Sequence, residues 1–146
     1  AGAIKSVIAL AVGMSIGMGY GENTQAMLIT RGLNEVARLC AAHNADPLSA
    51  AGLAGMGDLV ATCSSPLSRN RSVGELLGRG STMDQARAIT KTTAEGVSSA
   101  PAVLALAQKF QVDMPIVEAV VDVVQNSLPP AEVVKRLMNR TTRSEY

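Results

Sequence analysis

A chain of 146 residues is long enough for one ordinary domain, and with 47% hydrophobic but only 2% aromatic residues its core must be aliphatic. A net charge of +1 excludes the basic footprint of a nucleic-acid binder and an acidic tail. The two cysteines, Cys40 and Cys63, have no metal-ligand spacing and make no disulfide framework, which points to a reduced, cytoplasmic setting.

The chain opens Ala-Gly-Ala-Ile-Lys with an apolar run, Val7 to Gly13, that is too short for a membrane span and lacks the flanks of a signal peptide. A chain that starts inside a structural element reads as part of a longer one. Residues 2 to about 20 are predicted as a helix, with Ile4, Val7, Ile8, Ala11 and Val12 on one face. Lys5 lies in its first turn, where a cation opposes the helix dipole. Gly17, Gly19 and Gly21 end it.

A second helix is predicted from Thr24 to about Asn44, apolar around so much of its circumference that it is expected at the centre of the domain. His43, the only histidine, falls at its end and suits a solvated or dipole-complementing role. Asp46-Pro47 marks the start of a short helix.

Residues 52 to 71 then combine three glycines (Gly52, Gly55, Gly57), an acid (Asp58), Thr62 one helical turn later, and the run Ser68-Arg69-Asn70-Arg71. Hydroxyl, amide and guanidinium donors at a helix start suit an anion, in particular a phosphate. The same residues also suit plain helix punctuation with Ser68 as N-cap. The glycines do not form a dinucleotide fingerprint, because no hydrophobic strand precedes them.

A helix from Ser68 to Leu77 ends at Gly78 and Gly80. Thr82-Met83-Asp84-Gln85 reads as a capping box. Lys91-Thr92-Thr93 forms a brief extended link, and Ser98 or Ser99 is expected to cap a helix with Pro101 in its first turn, running to about Phe110. Pro115 starts another helix to about Asn126, and Pro129-Pro130 starts the last, Ala131 to Arg140. No stretch alternates as a strand would. The expected fold is all-α, six to eight helices in one domain over residues 1–140, with 141–146 as a frayed tail.

Taken together, Gly2-Ala3-Ile4-Lys5, the segment Asn23-Thr24 through Ile29-Thr30-Arg31-Gly32-Leu33, Gly52-Leu53-Ala54-Gly55-Met56-Gly57-Asp58-Leu59 with Ser68-Arg69-Asn70-Arg71, and Glu95-Gly96-Val97 resemble the C-terminal, substrate-binding domain of bacterial NAD(P)-dependent glycerol-3-phosphate dehydrogenases. The resemblance runs from residue 1 to about residue 140.

It implies an enzyme whose N-terminal Rossmann domain, not present in this chain, holds most of an NAD or NADP molecule. The implied reaction interconverts dihydroxyacetone phosphate and sn-glycerol 3-phosphate, at the entry to glycerophospholipid synthesis, in a cytoplasmic, homodimeric enzyme. On the matching positions, Lys5 is the implied catalytic acid-base group. Lys5, Asp58, Thr62, Ser68, Arg69 and Asn70 are the implied substrate contacts, and Arg69, Thr93 and Glu95 the implied dinucleotide contacts. No metal is implied. Ser6 stands where the family commonly has asparagine after the lysine, and Thr93 where it usually has valine. Two other readings stay open on the residues alone: the helical domain of another Rossmann-linked dehydrogenase, and a catalytically silent helical binding or dimerisation module.

Overall fold

The computed structural model describes residues 2–42, 68–90 and 94–144, with side chains from residue 3 to residue 137 of those. Seven helices are present among them and no strand: α1 (Gly2–Gly17), α2 (Glu22–Ala42), α3 (Arg69–Gly78), α4 (Met83–Thr90), α5 (Glu95–Lys109), α6 (Pro115–Val124) and α7 (Pro130–Ser144). The expected short helix after Asp46-Pro47, the glycine-rich stretch, His43 and the link at 91–93 lie outside the described residues.

The centre of the domain is α1, not α2. Every residue from Ser6 to Ser15 is buried, and α2, α3, α5 and α6 all pack on this one helix. A helix apolar on all sides has no face to give to water, and the one hydroxyl in its middle, Ser15, donates to the Val12 carbonyl at 2.7 Å. Helix α2 is amphipathic instead. Ala26, Thr30, Asn34, Arg38 and Ala41 form an exposed stripe along it, opposite the buried Leu28, Leu33, Val36 and Leu39. The sequence pattern misleads here because alanine counts as apolar yet loses little by facing water.

Four glycines bring α1 and α3 together. A Cβ at Gly13 would run into the carbonyl oxygen of Arg71, and one at Gly17 into that of Glu75. In return, a Cβ at Gly74 would strike the Leu10 carbonyl and one at Gly78 the Met14 carbonyl. The two Gly-x-x-x-Gly pairs therefore face each other, and the backbones approach as only small residues permit. The pairing rises in step along both helices, so α1 and α3 run parallel, and their N-terminal ends lie at the same end of the domain.

Local signals set most helix ends. Ser68 is extended and its Oγ accepts the Arg71 N–H at 3.3 Å. Thr82 Oγ1 accepts from the Gln85 N–H at 3.1 Å while Gln85 Oε1 accepts from the Thr82 N–H at 2.9 Å, a reciprocal capping box. Gly80, at φ 105°, makes the left-handed turn after α3.

Helix α5 departs from expectation. It begins at Glu95, before either serine, and Pro101 sits inside it. Helix α6 starts at Pro115 as expected, but its first-turn N–H donors are met from far away: the carboxyl group of Glu35 on α2 accepts from the N–H of Ile116 at 2.9 Å and of Val117 at 3.3 Å. Glu35 is 2% exposed. Burial raises its pKa to about 7, against the lowering effect of those two backbone hydrogen bonds and the nearby Arg38.

No described helix is long and apolar enough to cross a membrane. Among the described residues no group of His, Cys, Asp or Glu is arranged to hold a metal ion, and Cys40 is a free thiol.

Candidate functional site

The residues singled out from the sequence sit on the starts of three helices. Lys5 is half-buried in the first turns of α1, followed by the buried Ser6. Ser68 caps α3, whose first residues are the exposed Arg69 and the half-buried Asn70. Glu95, exposed, is the first residue of α5. Asp58, Thr62 and Thr93 lie outside the described residues.

These three starts meet. The Asn70 carboxamide reaches across 26 residues of sequence, and its Oδ1 accepts the Gly96 N–H at 2.8 Å. A Cβ at Gly96 would stand 2.7 Å from the carbonyl oxygen of Ser6, 2.8 Å from Leu10 Cδ1 and 2.9 Å from Asn70 Oδ1. The backbone beside Lys5, the side chain beside Arg69 and the backbone beside Glu95 therefore close on one point. Parallel packing of α1 and α3 makes this possible, because it delivers both N-terminal ends to the same side.

Hydrogen bonding at this junction leaves donors. Ser68 Oγ already accepts the Arg71 N–H, and Asn70 Oδ1 already accepts the Gly96 N–H. What each side chain still offers outward is a proton: the serine O–H and the asparagine NH2. Arg71 turns along its own helix, its Nε 3.0 Å from Glu75 Oε1. Arg69 instead stands exposed at the helix start. With the N-terminus of α3, this is a set of donors with positive potential, close to the Ser6 backbone that follows Lys5 in the chain, and it suits a phosphate or a developing oxyanion.

Sequence reasoning misses two features of this site. The motif Glu95-Gly96-Val97 gives no sign of the tight seat of Gly96. The glycine seam between α1 and α3 is also missed, though the Gly-x-x-x-Gly spacing is legible at Gly13/Gly17 and Gly74/Gly78.

The sequence pattern of the family described as NAD-dependent glycerol-3-phosphate dehydrogenase C-terminus matches residues 1–135. The chain belongs to this family. It is 58% identical over 144 residues to a glycerol-3-phosphate dehydrogenase [NAD(P)+] of Thermobifida fusca, with 99% of this chain and 43% of the relative covered. A Corynebacterium diphtheriae relative of the same name is 56% identical over 145 residues, covering 99% of this chain and 44% of its own length.

The fold also matches the crystal structure of glycerol-3-phosphate dehydrogenase from Coxiella burnetii with a TM-score of 0.90 at 39% identity, over 95% of this chain and 43% of that one. The Dunaliella salina structure, at 19% identity and a TM-score of 0.67, shares the fold. This chain thus spans under half the length of the curated relatives it matches. Family membership replaces one of the two other readings that the residues alone leave open, the helical domain of another Rossmann-linked dehydrogenase.

Proposed function

We propose that this chain is the substrate-binding and proton-transfer domain of a glycerol-3-phosphate dehydrogenase, interconverting dihydroxyacetone phosphate and sn-glycerol 3-phosphate with NAD(P)H. The observation that carries this reading is the convergence of Lys5–Ser6, Ser68–Asn70 and Glu95–Gly96 at one donor-rich junction. Names and lengths of the relatives support a second, N-terminal domain that holds most of the dinucleotide.

The residues present fit the edge of such a cofactor: an exposed guanidinium at Arg69 that donates and an exposed carboxylate at Glu95 that accepts, with Thr93 two positions before Glu95 in sequence. When bound, the nicotinamide supplies the hydride.

The chain's own residues do the rest. Arg69, Asn70 NH2 and the Ser68 hydroxyl hold the substrate phosphate, with the guanidinium suited to two parallel hydrogen bonds. Lys5 donates a proton to the carbonyl oxygen as negative charge builds there, and in the reverse direction accepts it. Asp58 and Thr62, four positions apart in the sequence, orient the lysine and the substrate hydroxyl. Ser6 in place of the family's asparagine removes one amide from this set.

General acid-base groups contribute about 10²- to 10⁴-fold. In the two-domain enzyme, Lys5→Ala is expected to lower kcat by about that factor and leave dinucleotide affinity near wild type. Lys5→Arg is not expected to restore turnover, because a guanidinium keeps its proton. Steady-state kinetics with dihydroxyacetone phosphate and NADPH checks both; near-normal kcat in either variant removes Lys5 as the proton donor.

A cytoplasmic homodimer completes the reading. The cysteine usage supports the compartment and the family resemblance supports the dimer. A single-copy mass by light scattering of the two-domain enzyme would remove the dimer.

A further inference from the structure

We propose that Gly96 is a positioning residue for this reaction, locked between the Asn70 carboxamide and the Ser6 backbone so that the cofactor side and the substrate side of the site keep one spacing from Lys5. The proposal rests on the functional reading above and extends it to a residue and a contact which that reading does not use.

Helix α5 lacks a local cap. Its N-cap residue, Ala94, has no side chain that can accept a hydrogen bond. The first turn of a helix has orphan N–H groups, and one of them, Gly96 N–H, is taken by Asn70 from α3 at 2.8 Å. The cap is therefore also a cross-link between two helix starts. One of them carries Ser68 and Arg69, and the other carries Glu95.

The second side of the lock is steric. A Cβ on residue 96 would be 2.7 Å from the Ser6 carbonyl oxygen and 2.9 Å from Asn70 Oδ1. Real Cβ atoms do not approach backbone oxygens so closely, so a larger residue must push α5 away from α1, from α3, or from both. Ser6 is the next residue after Lys5, and its carbonyl belongs to the buried, close-packed start of α1.

The donor pattern gives the lock its chemistry. Asn70 uses its oxygen on Gly96, which fixes the amide orientation and aims NH2 away from that bond. A single side chain thus sets the position of α5 and presents a donor to the substrate anion. Aspartate at 70 keeps the first task and loses the second. Alanine loses both.

Three variants separate these tasks. In the 146-residue chain, amide exchange at Gly96 is expected to quicken about tenfold in Asn70→Ala, with the α5 amides beyond the first turn unchanged, and to return toward wild type in Asn70→Asp. In the two-domain enzyme, Asn70→Ala is expected to raise KM for the dinucleotide about fivefold, the effect of one lost cap, together with KM for dihydroxyacetone phosphate. Asn70→Asp is expected to bring the dinucleotide KM back to within about twofold of wild type while the substrate KM stays high. Gly96→Ala is expected to lower kcat about 10- to 100-fold through misplacement of the reacting groups.

Unchanged Gly96 exchange in Asn70→Ala, an unchanged dinucleotide KM in that variant, or a wild-type kcat in Gly96→Ala would each overturn the proposal. A wild-type two-domain enzyme that is itself silent with dihydroxyacetone phosphate and either dinucleotide overturns the functional reading, and the positioning role falls with it. That outcome is distinct, because it is seen before any variant is made and leaves the exchange result at Gly96 intact.

Discussion

Two helices of this domain are capped from a distance, and the two caps differ in kind. Helix α5 receives the carboxamide of Asn70, which cannot titrate, and α6 receives the titratable carboxyl group of Glu35. At α5 the capping side chain uses one oxygen and keeps its NH2 to offer, next to Arg69 and the Lys5–Ser6 turn. At α6 both carboxylate oxygens are used on backbone N–H groups, and the residue is almost wholly out of water.

On the function proposed above, a carboxylate in the first position would repel the substrate anion. A neutral amide there closes the helix without spending the positive potential. The second position ties α2 to the start of α6: the Arg38 guanidinium also donates to the Asp113 carbonyl at 2.9 Å on the turn before α6, and a cavity of about 270 Å3 lies beside it, lined by Arg31, Asn34, Arg38 and Pro115.

Removing the buried cap breaks the comparison most severely. Glu35→Ala leaves two N–H groups without their acceptor, at about 1–3 kcal/mol each, so a loss of about 4 kcal/mol in unfolding free energy is expected at pH 6. Urea denaturation checks it, and a loss under about 1 kcal/mol would mean that α6 does not depend on this cap.

The charge on that cap gives the next effect. The Glu35 pKa is raised in the folded chain from 4.5 to about 7, chiefly by burial. The folded state therefore holds this proton more tightly than the unfolded chain. Its contribution to stability is fully present below pH 4.5 and is lost as pH rises through about 7. A rise in pKa of that size corresponds to a full swing of about 3 kcal/mol. Unfolding free energies measured from pH 4.5 to 8 are expected to fall accordingly, and in Glu35→Gln the part of the slope due to this group disappears. An identical pH profile in the variant would show that residue 35 does not titrate in this window. Asn70 can show no such dependence, which sharpens the contrast between the two caps.

The smallest effect concerns the seam that carries the junction. Gly74→Ala relieves the backbone entropy of a helical glycine, worth about 1 kcal/mol, but places a methyl against the Leu10 carbonyl. Overpacking of a tight contact costs about 1–3 kcal/mol, and a net loss of up to about 2 kcal/mol is expected in thermal or urea unfolding. A gain in stability would show that the α1–α3 spacing has room to relax.

Much of this architecture is legible in the sequence where the physics is local. Ser68 as an N-cap, the Thr82/Gln85 capping box and Pro115 at a helix start depend on residues within a turn of each other, and all three stand as expected. The distant caps are different. Nothing near Glu95 announces that Asn70, 26 positions earlier, ends the search for an acceptor, so local signals place the start of α5 too late. Glu35 and Ile116 are 81 positions apart, and only an acid among the apolar positions of α2 hints at the pairing.

The same limit hides the central helix. Alanine-rich patterns do not rank two apolar helices, whereas the facing glycines of α1 and α3 do so once their spacing is set side by side. Of the candidate site, Lys5, Ser68, Arg69, Asn70 and Glu95 follow from the resemblance, and their helix starts come together. Their meeting point, Gly96, is a product of tertiary packing.

On the function proposed above, the donor-rich junction, and not the Glu35 cap with its adjoining cavity, receives the substrate phosphate. Titration of glycerol 3-phosphate into the 15N-labelled chain tests this directly, because both regions report in one spectrum. Amide shifts are expected at Lys5, Ser6, Ser68 to Arg71 and Glu95 to Gly96, with Arg31 to Arg38 and Ile116 to Val117 unmoved. Shifts confined to Arg31, Arg38 and Ile116, with the junction silent, would contradict it.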